Sequence, residues 1–208
     1  MRLLIYLFII LSSFAIAEPN TNVITVNTKA YTLQYDTIRH VPLLVTWKIY
    51  NGAGECSRLQ FAFKSQPGSA TNKDYLHKGF DKGHMADAED FAYSCDRMRE
   101  TFSYYNCAPQ TPELNRGVWK AWEGRTRSYS KTDSVSISCG PIYEGTEFQH
   151  VGVMIIPTGY WKVVQGLSTG NIFLCARFEN TKTALMTNID TATLNRLAII
   201  PVKFKKFN

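Results

Sequence analysis

The 208-residue chain has no C-x-x-C pair and no H-x-x-x-H spacing, which excludes the common structural zinc layouts. It has no internal repeat and no low-complexity tract, so a repeat array is excluded as well. Long apolar runs are missing except at the start, where Leu3 to Leu11 breaks off well before the roughly 20 residues a spanning helix needs. An excess of acid is also absent: 23 Lys+Arg stand against 17 Asp+Glu, a net charge of +6 that falls by one if Arg2 is lost. That balance suits a polyanionic partner without demanding one. Five cysteines cannot all pair within one chain, and their spacing leaves the pairing open.

What is present begins with a leader. Met1 and Arg2, the apolar run, Ser12 and Ser13, and the tripeptide Ala15-Ile16-Ala17 have the layout of a secretory signal, predicting cleavage after Ala17. Residues 1–17 are thus expected to be a signal peptide and 18–208 a single domain, exported to a secreted or periplasmic location and free of membrane in its mature form. Cysteines in an exported chain predict at least one disulfide.

Period-2 and β-branched patterning predicts strands at "VITVN", "YTLQY", "LLVTWKIY", "LQFAF", "FSYYN", "VSISCGPIY", "YWKVVQG" and "NIFLCARF". "KSQPGSATNKD" reads as an exposed loop. "SCDRMRETF" reads as a short helix capped by Ser94, and "DTATLNRLA" as another near the end. The clearest helix is "TPELNRGVWKAWEGRTRSY", with Thr111 as cap, Pro112 in the first turn, and an apolar stripe of Leu114, Val118, Ala121 and Trp122. The pattern predicts an α+β domain on an antiparallel or mixed sheet.

Chemistry concentrates in "DYLHKGFDKGHMADAEDF". His84 can titrate near neutral pH and act as a general base, and Gly83 before it allows a sharp turn or a close approach. Asn115 and Glu123, eight residues apart on the predicted helix, differ by roughly 80° and about 12 Å, so they share one broad face. An amide oxygen and a carboxylate are hard donors suited to Mg2+. Arg116, Lys120 and Arg127 on the helix, with Arg58 and Lys82 before it, offer phosphate contacts or solvated charge.

In order, "DKGHMA", "NCAPQTPELNRGVWKAWE", "SCGPIY" and "IPTGYWKVV" resemble the DNA/RNA non-specific endonuclease family of ββα-metal (His-Me finger) nucleases, over Tyr31 to Phe178. The resemblance implies a central antiparallel sheet with flanking helices and a ββα-metal element. It implies Mg2+, or Mn2+ in its place, with DNA and RNA as substrates cut to 5′-phosphate products. It makes His84 the base, Asn115 the metal ligand, Glu123 the group orienting metal-bound water, Asn106 an active-site asparagine and Arg58 a phosphate-stabilising arginine. Lys82 stands where the family more often has arginine, and "CGPIY" where T-G-P is frequent. Two other readings are a binding protein that keeps the fold without catalysis, and an interaction module with Trp119 and Trp122 exposed. Oligomeric state is left open.

Overall fold

The computed structural model describes residues 22–50 and 54–204, so the leader expected over 1–17 lies outside the described residues. Three strands come first, β1 (Val23–Asn27), β2 (Tyr31–Asp36) and β3 (Val41–Ile49). A short helix α1 (Asn72–Tyr75), β4 (Asp81–His84), α2 (Cys95–Thr101) and β5 (Cys107–Gln110) follow. After a widened helical turn at Leu114–Trp119 comes α3 (Lys120–Tyr129), then β6 (Val135–Ile142), β7 (His150–Val151), β8 (Met154–Ile155), β9 (Gly159–Gly166), β10 (Ile172–Glu179), β11 (Met186–Asn188) and α4 (Thr191–Leu197).

Seven strands form one antiparallel sheet in the order β1-β2-β3-β6-β9-β10-β11, and β4 pairs separately with β5. Every residue of β9 is buried, because both faces of the sheet are covered there. Tyr160 and Val164 join the larger core with Trp119 and Phe178. Trp161 and Val163 point the other way, onto Leu194 of α4. The period-2 alternation of side chains thus assigns Lys162 to the Trp119 side. The α+β expectation with a central antiparallel sheet holds. No helix among the described residues is long and apolar enough to cross a membrane.

Several local expectations are corrected. "LQFAF" is not a strand: Arg58–Gln60 make one 3-10 turn capped by Ser57, and Phe61 and Phe63 pack against the core from irregular backbone. "FSYYN" is a 3-10 turn at Tyr104–Asn106, and the strand is the four residues after it. In both cases aromatic content signalled burial, which short sequences do not distinguish from pairing. The Lys64–Asp74 loop holds the start of α1, closed by a Thr71/Asp74 capping box.

The long helix is not continuous. Gly117 takes φ −99° and ψ −114°, outside the helical region, and the chain turns wide around it. Trp119 enters the core and Ala121 is exposed; of the predicted stripe, Leu114 is buried and Val118 and Trp122 pack against the core, so the inner face is that stripe with Trp119 and Thr126 added and Ala121 lost. Trp119 is fully buried, which removes the exposed-tryptophan premise of the interaction-module reading. A disulfide joins Cys56 to Cys95, while Cys107, Cys139 and Cys175 are free.

Candidate active site

The site begins with a glycine that does not turn. Gly83 sits inside β4 opposite Ala108, and a Cβ there would lie 2.4 Å from the Gln110 side chain. The sharp turn is not found, but the close approach is: glycine is needed because the Gln110 side chain crosses the strand at this point. With β4 held flat on β5, His84 pairs opposite Cys107 and its ring enters a slot between Phe63 and Phe102, at centroid distances of 4.6 and 4.8 Å. Its Nε2 is buried without a hydrogen-bond partner. Burial, aided by the charge of Arg58 and opposed in part by Asp87, lowers the imidazole from 6.5 to about 3. The ring is neutral at physiological pH.

The chain after His84 is fixed by Asn106. Its side chain accepts from the Ala86 amide at 2.9 Å and donates to the carbonyls of Ala86 and Thr101 at 2.9 and 3.0 Å. Asn106 is fully buried and does not line the cavity described below; its side chain braces the backbone that follows His84.

His84, Asn115, Glu123, Arg58, Lys82, Arg116 and Lys120 all line one cavity of about 190 Å3, joined by Asp87. Asn115 donates from Nδ2 to Asp81 at 3.0 Å, which orients the amide and leaves Oδ1 as an acceptor. Arg116 clasps the same carboxylate through two nitrogens at 2.8 and 2.6 Å. Burial opposes ionisation of Asp81, but the bonds from Arg116 and Asn115 outweigh it and hold the carboxyl below its ordinary value. Arg116, predicted as a substrate contact, is thus engaged with Asp81, although its side chain stays 72% exposed. Lys82 donates to Asn72 at 2.9 Å and lies 5.7 Å from the Phe63 ring centre. Arg58 is 4.0 Å from Glu89.

Behind the cavity lies a charged cluster that sequence reasoning did not assemble. Arg127, expected as a phosphate contact or solvated charge, is ion-paired to the buried Asp87 and, at 3.0 Å, to the buried Asp90. Trp47 on β3 donates to Asp90 at 2.7 Å. Burial, then the charge of Asp87, raises Glu123 well above the carboxylate range, while Lys162 and Arg127 pull it back. Signals were available: Asp87 lies three residues past His84, and Arg127 follows Glu123 by one helical turn.

The donors suit a hard divalent ion. Asn115 Oδ1 and the carboxylates of Asp87 and Glu123 face one small polar space. No group of three or more His, Cys, Asp or Glu among the described residues is disposed to hold a metal. This fits an ion that keeps most of its water better than a full protein cage.

A model of the DNA/RNA non-specific endonuclease family matches residues 12–205. The chain is 36% identical over 107 residues to mitochondrial Endonuclease G of Bos taurus, covering 46% of this chain and 36% of that protein. It is 35% identical over 120 residues to mitochondrial Nuclease EXOG of Xenopus laevis, covering 54% and 34%. The matched stretches span about a third of the length of these curated relatives. The fold is similar to a chain in the crystal structure of the EndoG/EndoGI complex, with a TM-score of 0.77, 23% identity, and coverage of 88% and 86%. The names of these relatives correct one expectation. Endonuclease G and EXOG are named as mitochondrial nucleases, which speaks against the secreted or periplasmic expectation and leaves the secretory leader unsupported.

Proposed function

The chain belongs to the DNA/RNA non-specific endonuclease family, and from that premise we propose that it is a metal-dependent nuclease whose residues 18–208 act as one catalytic domain on DNA and RNA. The observation that carries this reading is the neutral, unpartnered imidazole of His84 in the same cavity as the Asn115 amide oxygen and the Glu123 carboxylate.

His84 takes the proton of a water that attacks phosphorus, and the departing group is the 3′ oxygen, leaving a 5′-phosphate. A neutral imidazole can accept that proton, whereas an imidazolium cannot. A phosphate anion arriving beside the ring acts in the opposite sense to Arg58 and raises its basicity. Asn115 would hold the divalent ion through Oδ1, and Glu123 would orient its water; Mg2+ is the ion proposed, with Mn2+ as substitute. When bound, such an ion withdraws charge from the phosphate oxygens. Arg58, Lys82 and Lys120 are proposed phosphate contacts. Contacts to phosphate carry no sequence information, which supports action on both DNA and RNA.

The test is incubation of the purified chain with plasmid DNA and with RNA, with Mg2+ and with EDTA, followed by end-group analysis. Cutting only with the metal, leaving 5′-phosphates, is expected; cutting in EDTA or 3′-phosphate ends would overturn the reading. Asn115→Ala should lower the rate by about 100-fold, the scale of a lost catalytic group, and what activity remains should saturate at higher Mg2+. An unchanged metal dependence would remove Asn115 as the ligand.

A further inference from the structure

The Trp-Lys pair of β9 has no role in the chemistry above, yet Lys162 occupies a place where a charged ammonium head is costly. Only 1% of it is exposed, and lysine is almost never buried so deeply without a partner. Its Nζ lies 3.6 Å from the centre of the Trp119 ring, close contact for a cation over an indole face. Trp119 precedes α3 directly, and Glu123 follows one turn later on the same face of that helix. The ammonium above Trp119 is therefore carried toward the Glu123 face of the helix, where its charge acts on the carboxyl without a direct ion pair.

The charges around Glu123 leave it no other dedicated partner. Those acting on it belong to Asp87, Asp90, Arg127 and Lys162. Arg127 is shared already between Asp87 and Asp90. Three buried or half-buried carboxylates thus face two cations, and Lys162 is the one not already claimed.

We propose that Lys162 is a positioning residue of the nuclease site, its buried ammonium on the Trp119 ring supplying the fixed positive charge against which the Glu123 carboxylate is held in the cavity. The inference rests on the site reading above and adds a residue from the far side of the core to it. It also explains the indole: Trp119 stabilises the ammonium from one side, so the lysine needs no second carboxylate and its charge is directed to Glu123.

The experiment is a double-mutant cycle of Lys162→Met and Glu123→Gln in the full chain, read as plasmid-nicking kinetics with Mg2+ and as melting curves, with His84→Ala alongside. Lys162→Met should lower kcat by about 100-fold with KM within about threefold, because the charge acts on catalysis and not on substrate binding. In the Glu123→Gln background the same change should cost no more than about threefold, since its target is gone. Near-normal kcat for Lys162→Met, or fully additive losses in the double variant, would overturn the proposal. If Lys162→Met does not fold, the double variant should fold, because removing both charges leaves no unpaired buried carboxylate; an unfolded double variant counts against the proposal equally. A dead His84→Ala beside a normal Lys162→Met sinks only this inference. An active His84→Ala sinks the site reading, and this inference with it.

Discussion

On the β4 side of the cavity, a titratable group is buried by being kept neutral: His84 sits between Phe63 and Phe102 with its pKa lowered to about 3. On the α3 side, carboxylates are buried among cations: Asp87 and Asp90 share Arg127, and Glu123, without an ion pair of its own, feels the charges of Lys162 and Arg127. The two walls are separated by a cavity of only about 190 Å3. A base must be able to gain a proton, so an apolar slot suits it. Burial and the charge of Asp87 push Glu123 toward its neutral form, so the countercharges of Lys162 and Arg127 act to restore the carboxylate that would hold water on a cation. Removing a partner should therefore have different consequences on the two walls.

The largest effect is expected from His84→Ala. It should lower nicking of plasmid DNA by about 1000-fold or more while leaving DNA binding intact, because the apolar wall holds no second base. A variant that turns over near the wild-type rate would break the assignment of the two walls. Arg127→Met tests the charged wall through stability. Two buried carboxylates would lose their cation, and the loss should be about 3–5 kcal/mol in urea unfolding. A loss below about 1 kcal/mol would mean that pairing is not what supports this wall.

Acid should separate the walls in a graded way. The folded pKa of His84 is lowered from 6.5 to about 3, so between those values the unfolded chain binds more protons than the folded one. Stability from this group is therefore lost as pH falls from 6.5, by about 1.4 kcal/mol per unit. His84→Gln lacks that loss, so the stability difference between the two proteins should move in the variant's favour between pH 7 and pH 5. A difference that stays constant over this range would show that the imidazole is not held neutral. The smallest effect is expected at the cavity rim. Lys82→Arg should keep activity within about tenfold, while Lys82→Ala should raise KM and flatten the salt dependence of DNA binding. If Lys82→Ala changes neither, the lysine serves Asn72 and the Phe63 ring and not the substrate.

The sheet was more legible than the site around His84. Strands β1, β2, β3, β6, β9 and β10 carry period-2 or continuous apolar runs of five to nine residues, long enough to reveal themselves. β4 and β5 have four residues each, among them Gly83 and Pro109, and their pairing depends on contacts across the chain. Phe61 and Phe63 read as strand residues because they are apolar, yet from irregular backbone Phe63 walls the histidine and Phe61 packs on Phe102 behind it. The break at Gly117 was visible only as a weak helix former, and a 100° periodicity carried through it found Leu114, Val118 and Trp122 but placed Ala121 inward and missed Trp119.

By itself the sequence determined which reactive groups are present and in what order: a histidine after D-K-G, an asparagine and a glutamate eight apart, and cations nearby. Those are matters of residue type and local spacing, which the chain carries in one dimension. Tertiary structure decided what each group experiences. It made His84 neutral by closing Phe63 and Phe102 on it, took Asn106 out of the cavity to brace the backbone, committed Arg127 to two buried carboxylates, and set Lys162 over Trp119. Charge state and partnership depend on burial and on neighbours distant in sequence. These come into being only when β4, α3 and β9 meet.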